Sequence, residues 1–558
     1  MLTGTFLLAA IFSITSSAQV RESKQFKVLT TTPAGNFLGT TEVTRDGKFY
    51  YTFKGIPYAE KPGRFQTSVL KRPIDGQYNA TYDRSICPQK REGDVTTRGD
   101  EDCLYLSVSH PHPLRCVLAT TNGLLPVMFW IHPGAYRGGS GSAHKPNYLL
   151  DRCVVLVTIN YRLGALGFLT TGDDVIPGNL GLKDQIVALR WTKNNIEHFR
   201  GDPERVTIFG SSAGGSSVTH HICSPASKGL FQHGISMSGT ILNPWSITEN
   251  PKYYAVRLGS RLNCPTSEVV TLRACLLEKS FDEIVDAQLS LSPPHIVFSP
   301  TIEPWYAKDP FQTQNPYSLL KHGQINNVPF MTGFVEDEGV YYASPILANQ
   351  QLLSAINKRW TVAAPVQLFY DQLGIPKEDK DHISDRMRKY YFGSFEINES
   401  KRQQVVNLVS DRTIVQGTYE TVELIAKHTR TYMYVNTYKG GVSYAQINFG
   451  YTIPVITHVD DEQYIFPKFQ EWTSGPNYEF SLDMVELWTN FAKYGIPFGK
   501  CTRNAPWRQV QSSPVYQRIY KLDGQNSYLN NYLQDRTEFW RGLGLYKYEF
   551  GYKSVSHF

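Results

Sequence analysis

The chain reads as an α/β protein built on a large, mostly parallel central sheet flanked by helices. Short apolar runs rich in β-branched and aromatic residues recur at 127–132 (VMFWIH), 153–161 (CVVLVTINY), 205–210 (RVTIFG), 328–334 (VPFMTGF) and 431–438 (TYMYVNTY). Each is bounded by Gly, Pro or Asn, as central strands tend to be. Between the second and third runs, LKDQIVALRWTKNNIEHF carries Ile186, Val187, Leu189, Trp191 and Ile196 at helical spacing. Strand–helix–strand then gives a right-handed crossover between parallel strands.

The remaining elements follow in order. No internal repeat, low-complexity tract or Pro/Gly/Ser linker divides the 558 residues, so 19–558 read as one unit with a large core. The stretch from about 345 to 430 is more helical and charged, and reads as a cap or a peripheral helical layer. A net charge of +6 is small for this length, and Lys and Arg are scattered. No nucleic-acid partner is expected.

The N-terminus, MLTGTFLLAAIFSITSSAQV, has an apolar run from Phe6 to Ile14 followed by Ser16-Ser17-Ala18. The run is too short to span a bilayer, so residues 1–18 are expected to be a cleaved secretory signal. The C-terminal GYKSVSHF is neither an apolar tail nor a retention signal, so a secreted, extracellular protein with no membrane anchor is expected. Secretion would allow disulfides among the eight cysteines. Cys87 and Cys103 bracket one short loop, and Cys264 and Cys275 another. Cys153, inside a predicted buried strand, is expected to be a free core thiol; Cys116, Cys223 and Cys501 have no assigned partner. Asn79 (NAT) and Asn398 (NES) are glycosylation sequons.

Chemistry concentrates at TIFGSSAGGSSV, from residue 207. Here Gly210-Ser211-Ser212-Ala213-Gly214 forms a G-x-S-x-G between a predicted strand and a predicted helix. A tight strand-to-helix turn with small flanks lifts a serine hydroxyl into a cleft, so Ser212 is the candidate nucleophile. In any other setting the same match would be a small-residue turn. The Ala213 N–H opens the helix and can face a developing oxyanion. Upstream, WIHPGAYRGGSG follows a strand and offers the N–H groups of Gly134 and Ala135 for the same purpose. A base and an orienting acid must follow the serine. Glu338, in FMTGFVEDEGVYY, and His458, in IPVITHVDDEQYIF, come in the order acid then histidine, each just after an apolar run.

Several longer segments carry a resemblance. FKGIPYAEKP, EDCLYLSV, NYRLGALGFL, GNLGLKDQIVALRWTKNNIEHFRGDPERVTIFGSSAGGSSV, SKGLFQHGISMSGT, GFVEDEG and HVDDEQYIF resemble the type-B carboxylesterases of the cholinesterase–carboxylesterase family, secreted insect carboxylesterases in particular. The resemblance covers nearly all of the mature chain and implies an α/β-hydrolase fold. It implies Ser212 as nucleophile, Glu338 as acid, His458 as base, and Gly134, Ala135 and Ala213 as oxyanion donors. It also implies the pairs Cys87–Cys103 and Cys264–Cys275, a buried Ser238 near the triad, and Trp245 in an apolar acyl pocket. The implied reaction is two-step acyl transfer on a small-molecule ester, with no metal and no cofactor.

The departures are specific. The usual HGGG-aromatic loop is here His132-Pro133-Gly134-Ala135-Tyr136. Pro133 has no N–H, and Ala135 is expected to fit only with a negative φ. The residue before the nucleophile, commonly Glu, is Ser211, which removes a carboxylate that would favour cationic substrates. The Cys87–Cys103 loop lacks a Trp to stack a quaternary ammonium, which argues against acetylcholine. A catalytically silent binding protein of the same fold, as in the neuroligins, and a stoichiometric ester scavenger are the competing readings.

Overall fold

The computed structural model describes residues 26–91, 94–116, 122–291, 296–511 and 518–549. The expected signal segment, 1–18, lies outside the described residues. One sheet contains β1 (Lys27–Thr32), β2 (Gly35–Val43), β3 (Phe49–Pro57), β4 (Ile74–Asn79), β5 (Tyr105–Pro111), β6 (Leu125–Ile131) and β7 (Val155–Ile159). It continues with β8 (Gly201–Ser211), β9 (His233–Met237), β10 (Phe330–Val335), β11 (Thr431–Asn436), β12 (Ile519–Leu522) and β13 (Ser527–Leu529). The spatial order is β1-β2-β3-β5-β7-β6-β8-β9-β10-β11-β12-β13, with β4 beside β2.

From β7 through β6, β8, β9, β10 and β11 to β12, every neighbour is parallel. The N-terminal strands β1, β2, β3 and β5 add an antiparallel wing that joins at β7. This is the α/β-hydrolase architecture, and the five runs read from the sequence are β6, β7, β8, β10 and β11. The helix Leu180–Asn195 connects β7 to β8. Those two strands lie on either side of β6, so the crossover spans one intervening strand.

The parallel strands are apolar throughout because both faces are covered. Along β6, Val127, Phe129 and Ile131 enter one apolar layer with Val155, Val157 and Ile208. Met128 and Trp130 point the other way, into a second layer with Leu156 and Phe209. Side chains alternate between faces at every residue, and burying each large one contributes about 1.5–3 kcal/mol. The segment from Val340 to Ile425 is a peripheral helical layer, with its own apolar cluster around Trp360, Met387 and Val406. A π-helical turn, Asp411–Val415, interrupts it. There the carbonyls of Thr413 and Ile414 accept the Trp245 indole N–H at 2.8 Å and the Asn243 side chain at 2.9 Å.

Three disulfides are present among the described residues: Cys87–Cys103, Cys264–Cys275 and Cys116–Cys153. The third corrects the expectation that Cys153 is a free core thiol. β7 begins only at Val155, so Cys153 precedes the strand in a half-buried loop. Its Cα is 5.8 Å from that of Cys116, just beyond β5, a spacing suited to a bridge. Cys223 and Cys501 are the free thiols, and burial pushes the Cys501 thiol up to about 12. Alkylation of the denatured, unreduced chain is therefore expected to modify two cysteines, Cys223 and Cys501. Modification at Cys116 or Cys153 would contradict this pairing.

Candidate active site

Ser212 stands between the end of β8 and the helix Ala213–Cys223, with φ 55° and ψ −122°. A non-glycine residue adopts such a backbone only when its surroundings fix it. Here the Ser212 N–H donates to Met237 O at 2.8 Å, and Ser212 O accepts from Ser216 N–H at 2.8 Å. The turn also needs small neighbours. A Cβ on Gly214 would lie 1.9 Å from Ile131 O, and one on Gly210 would lie 2.6 Å from the same oxygen. A Cβ on Gly239 would lie 2.2 Å from Ser212 O. β6, the turn and the segment after β9 are thus in backbone contact, which is why the G-x-S-x-G frame is glycine at both ends.

The other candidates converge on this turn. Ser212 Oγ–H donates to His458 Nε2 at 2.8 Å, and His458 Nδ1–H donates to Glu338 Oε2 at 2.6 Å. Glu338 Oε1 accepts the Val335 N–H at 2.9 Å, so the end of β10 holds the carboxylate. Glu338 is fully buried, and His458 and Ser212 are only 3% and 6% exposed; the relay therefore operates in a largely dry environment. Groups separated by 126 and 120 residues in the chain meet because β8, β10 and the loop after β11 end at the same side of the sheet.

The loop after β6 bends through consecutive positive φ values: 126° at Gly134, 55° at Ala135 and 54° at Tyr136. The expectation of a negative φ at Ala135 is thereby corrected. Arg137 N–H and Gly138 N–H both donate to Gly134 O, at 3.0 and 2.9 Å. That closed turn imposes left-handed geometry on Ala135 despite its Cβ, at a cost of roughly 1–2 kcal/mol. The N–H groups of Gly134, Ala135 and Ala213 donate to no other described residue. Beneath the loop, His132 is fully buried; burial pushes its imidazole down to about 3, and it stacks on Tyr161 with centroids 4.4 Å apart. It is a neutral prop whose Nδ1–H donates to Pro133 O at 2.8 Å.

Ser211 and Ser238 are both fully buried, and neither hydroxyl has a partner among the described residues. Ser238 N–H donates to Gly333 O at 2.8 Å, tying the segment beyond β9 to β10. Trp245 is buried with its indole committed to Thr413 O. The sequence reading missed Tyr341 and Tyr342, whose ring centroids lie 5.8 and 6.0 Å from that of His458. Their signal was the aromatic pair three residues after Glu338. It also missed Asp460, which accepts from Ser443 Oγ at 2.6 Å and from the N–H groups of Tyr444 and Thr457 at 2.8 Å. Asp460 so fastens the Tyr444–Phe449 helix to the His458 loop. Burial beside Glu462 and Glu338 holds the Asp461 carboxyl well above the usual carboxylate range. No group of His, Cys, Asp and Glu suited to a metal ion occurs among the described residues.

Fold and site together define an α/β-hydrolase with the geometry of an acyl-transfer enzyme. The chain belongs to the carboxylesterase family, whose model matches residues 25–540. It is 36% identical to a carboxylic ester hydrolase of Bombus ignitus over 488 residues, 84% of this chain and 85% of that one. It is 35% identical to venom carboxylesterase-6 of Apis mellifera over 532 residues, 91% of this chain and 93% of the relative. Among solved structures, juvenile hormone esterase from Manduca sexta, with OTFP covalently attached, superposes with a TM-score of 0.81. That match covers 93% of this chain and all of the other at 23% identity, a likeness of fold. Membership of this family makes the chain a carboxylic ester hydrolase.

The strain at Ala135 is open to test. Ala135→Gly is expected to stabilise the protein by about 0.5–1 kcal/mol, since glycine adopts the left-handed turn freely but loses more backbone entropy on folding. The thermal midpoint should rise slightly; a fall would show that the alanine methyl contributes packing that outweighs the strain.

Proposed function

We propose that the chain is a secreted serine esterase, a single hydrolase unit over residues 19–558, acting through an acyl-enzyme on Ser212. His458 takes the Ser212 proton as the hydroxyl attacks the ester carbonyl, and Glu338 holds the imidazole tautomer and stabilises the imidazolium. The N–H groups of Gly134, Ala135 and Ala213 receive the oxyanion. His458 then protonates the leaving alcohol, and water activated by the same imidazole releases the acid. No metal or cofactor takes part in these steps.

The observation that carries this reading is the buried relay from Ser212 Oγ to His458 Nε2 at 2.8 Å and from His458 Nδ1 to Glu338 at 2.6 Å. Its burial and alignment argue against a silent binding protein, which has no use for three ionisable or nucleophilic groups in one hydrogen-bonded line. Trp245 is assigned to the wall of an apolar acyl pocket, and Ser211 and Ser238 to the support of the nucleophile turn.

Secretion draws support from the three disulfides and from the relative named as a venom protein. No described helix is long and apolar enough to cross a membrane. Glycosylation at Asn79 and Asn398 draws support from their exposure. In both sequons the hydroxyl two residues on donates to the asparagine Oδ1, Thr81 at 2.7 Å and Ser400 at 2.8 Å.

The test is hydrolysis of p-nitrophenyl acetate and butyrate by the purified chain beside Ser212→Ala. Loss of the serine is expected to lower kcat by at least about 10³-fold. Equal rates from both proteins would refute the esterase reading. A fluorophosphonate separates the scavenger: it should label the wild type once, and labelling without turnover of any ester would favour stoichiometric scavenging.

A further inference from the structure

Arg91 and Arg137 lie on two segments joined beside the loop that carries Gly134 and Ala135, and neither side chain has an acidic partner among the described residues. Gln89, in the Cys87–Cys103 loop, clamps the loop after β6. Gly139 N–H donates to Gln89 Oε1 at 2.7 Å, and Gln89 Nε2 donates to Gly139 O at 2.8 Å. Arg91 lies two residues beyond Gln89, and Arg137 lies two residues before Gly139, so the clamp holds the two arginine-bearing backbones together. Arg137 is fixed further by its N–H bond to Gly134 O, which sets it two residues past Ala135.

Neither guanidinium makes a hydrogen bond or ion pair with any described residue. Burial raises the Tyr341 and Tyr342 phenols; Arg137 opposes that rise at both, and Arg91 at Tyr341. Three described acids of the site and of the Arg91 segment are already engaged. Glu338 is held by His458 and Val335 N–H, Asp460 by its three donors, and Asp94, which accepts the Arg91 backbone N–H at 3.1 Å, lies 3.5 Å from Arg98. The residue beside the nucleophile, Ser211, is buried and uncharged.

The position of this charge relative to the reaction follows from the chemistry. The alcohol of an ester takes its proton from His458, so the alcohol oxygen must lie against that imidazole. Tyr341 and Tyr342 flank the same ring, and the arginines act on those tyrosines. Trp245, bonded to Thr413 O in the π-turn, is assigned to the acyl side.

Resting on the Ser212 reading, we propose that the two unpaired arginines, Arg137 foremost, make this site select esters with an anionic group on the alcohol part over cationic ones. The preference is electrostatic, and added salt weakens it.

A matched series tests it: phenyl acetate, 3-carboxyphenyl acetate and 3-(trimethylammonio)phenyl acetate, compared by kcat/KM in wild type, Arg137→Gln and Arg137→Lys. Intrinsic reactivity cancels between proteins. The ratio of the anionic to the cationic ester is expected to fall about tenfold in Arg137→Gln, to recover largely in Arg137→Lys, and to shrink in the wild type at 0.5 M salt, a condition of about 4 Å screening length. Slowing of all three esters by a common factor, with the ratio unchanged, would overturn the proposal while leaving the esterase reading intact. If wild type hydrolysed phenyl acetate no faster than Ser212→Ala, the catalytic reading would fail. The charge preference would then be read by calorimetry, with benzoate binding more tightly than phenyltrimethylammonium and losing that advantage in Arg137→Gln. Equal affinities would overturn it.

Discussion

The site depends on how closely three stretches of backbone approach one another around Ser212. β6, the turn after β8 and the segment after β9 touch through main-chain atoms, with no room for a Cβ at Gly210, Gly214 or Gly239. That contact forces Ser212 to a φ of 55° and leaves the Ala213 N–H free at the start of a helix, where the dipole favours negative charge. The packed layers on the two sheet faces keep the turn from relaxing. Stability of the core and reactivity of the serine are thus one property, since the large apolar strands hold the strained residue in place.

Electrostatics around the relay are arranged by burial more than by ion pairing. Glu338 is fully enclosed and accepts hydrogen bonds from His458 and the Val335 N–H. Asp460 is likewise met by donors and binds the aromatic helix to the base loop. Buried His132 carries no charge under the loop after β6. Among the described residues, Arg91 and Arg137, on the segments joined beside the loop after β6, have no acidic partner, which leaves their charge for substrate to answer. A site whose catalytic acid is held by donors while positive charge nearby is unpaired is fitted to discriminate by approach.

Much of this was legible in the sequence, for physical reasons. The parallel strands are covered on both faces and so read as unbroken apolar runs. The nucleophile turn needs glycine at fixed positions, which makes the frame around Ser212 visible. The chain order of serine, acid and histidine followed from the order in which β8, β10 and β11 join the sheet. β9, HGISM, was missed as a strand because it is short and carries only two large apolar residues. Cys153 was misjudged because the apolar run begins two residues before the true start of β7 at Val155. The φ of Ala135 was misjudged because its turn is set by two N–H bonds to Gly134 O, contacts that composition does not reveal. Tyr341, Asp460 and the Gln89 clamp act through contacts distant in sequence, and no periodicity announces them.

The central claim is that one serine of the four in 211–217 is made reactive by backbone geometry. The most direct measurement is peptide mapping by mass spectrometry of protein quenched during the first turnover of a p-nitrophenyl ester. The account predicts a single acyl group, carried on Ser212. An acyl group on Ser211, Ser216 or Ser217, or none on this peptide while ester is being hydrolysed, would contradict it.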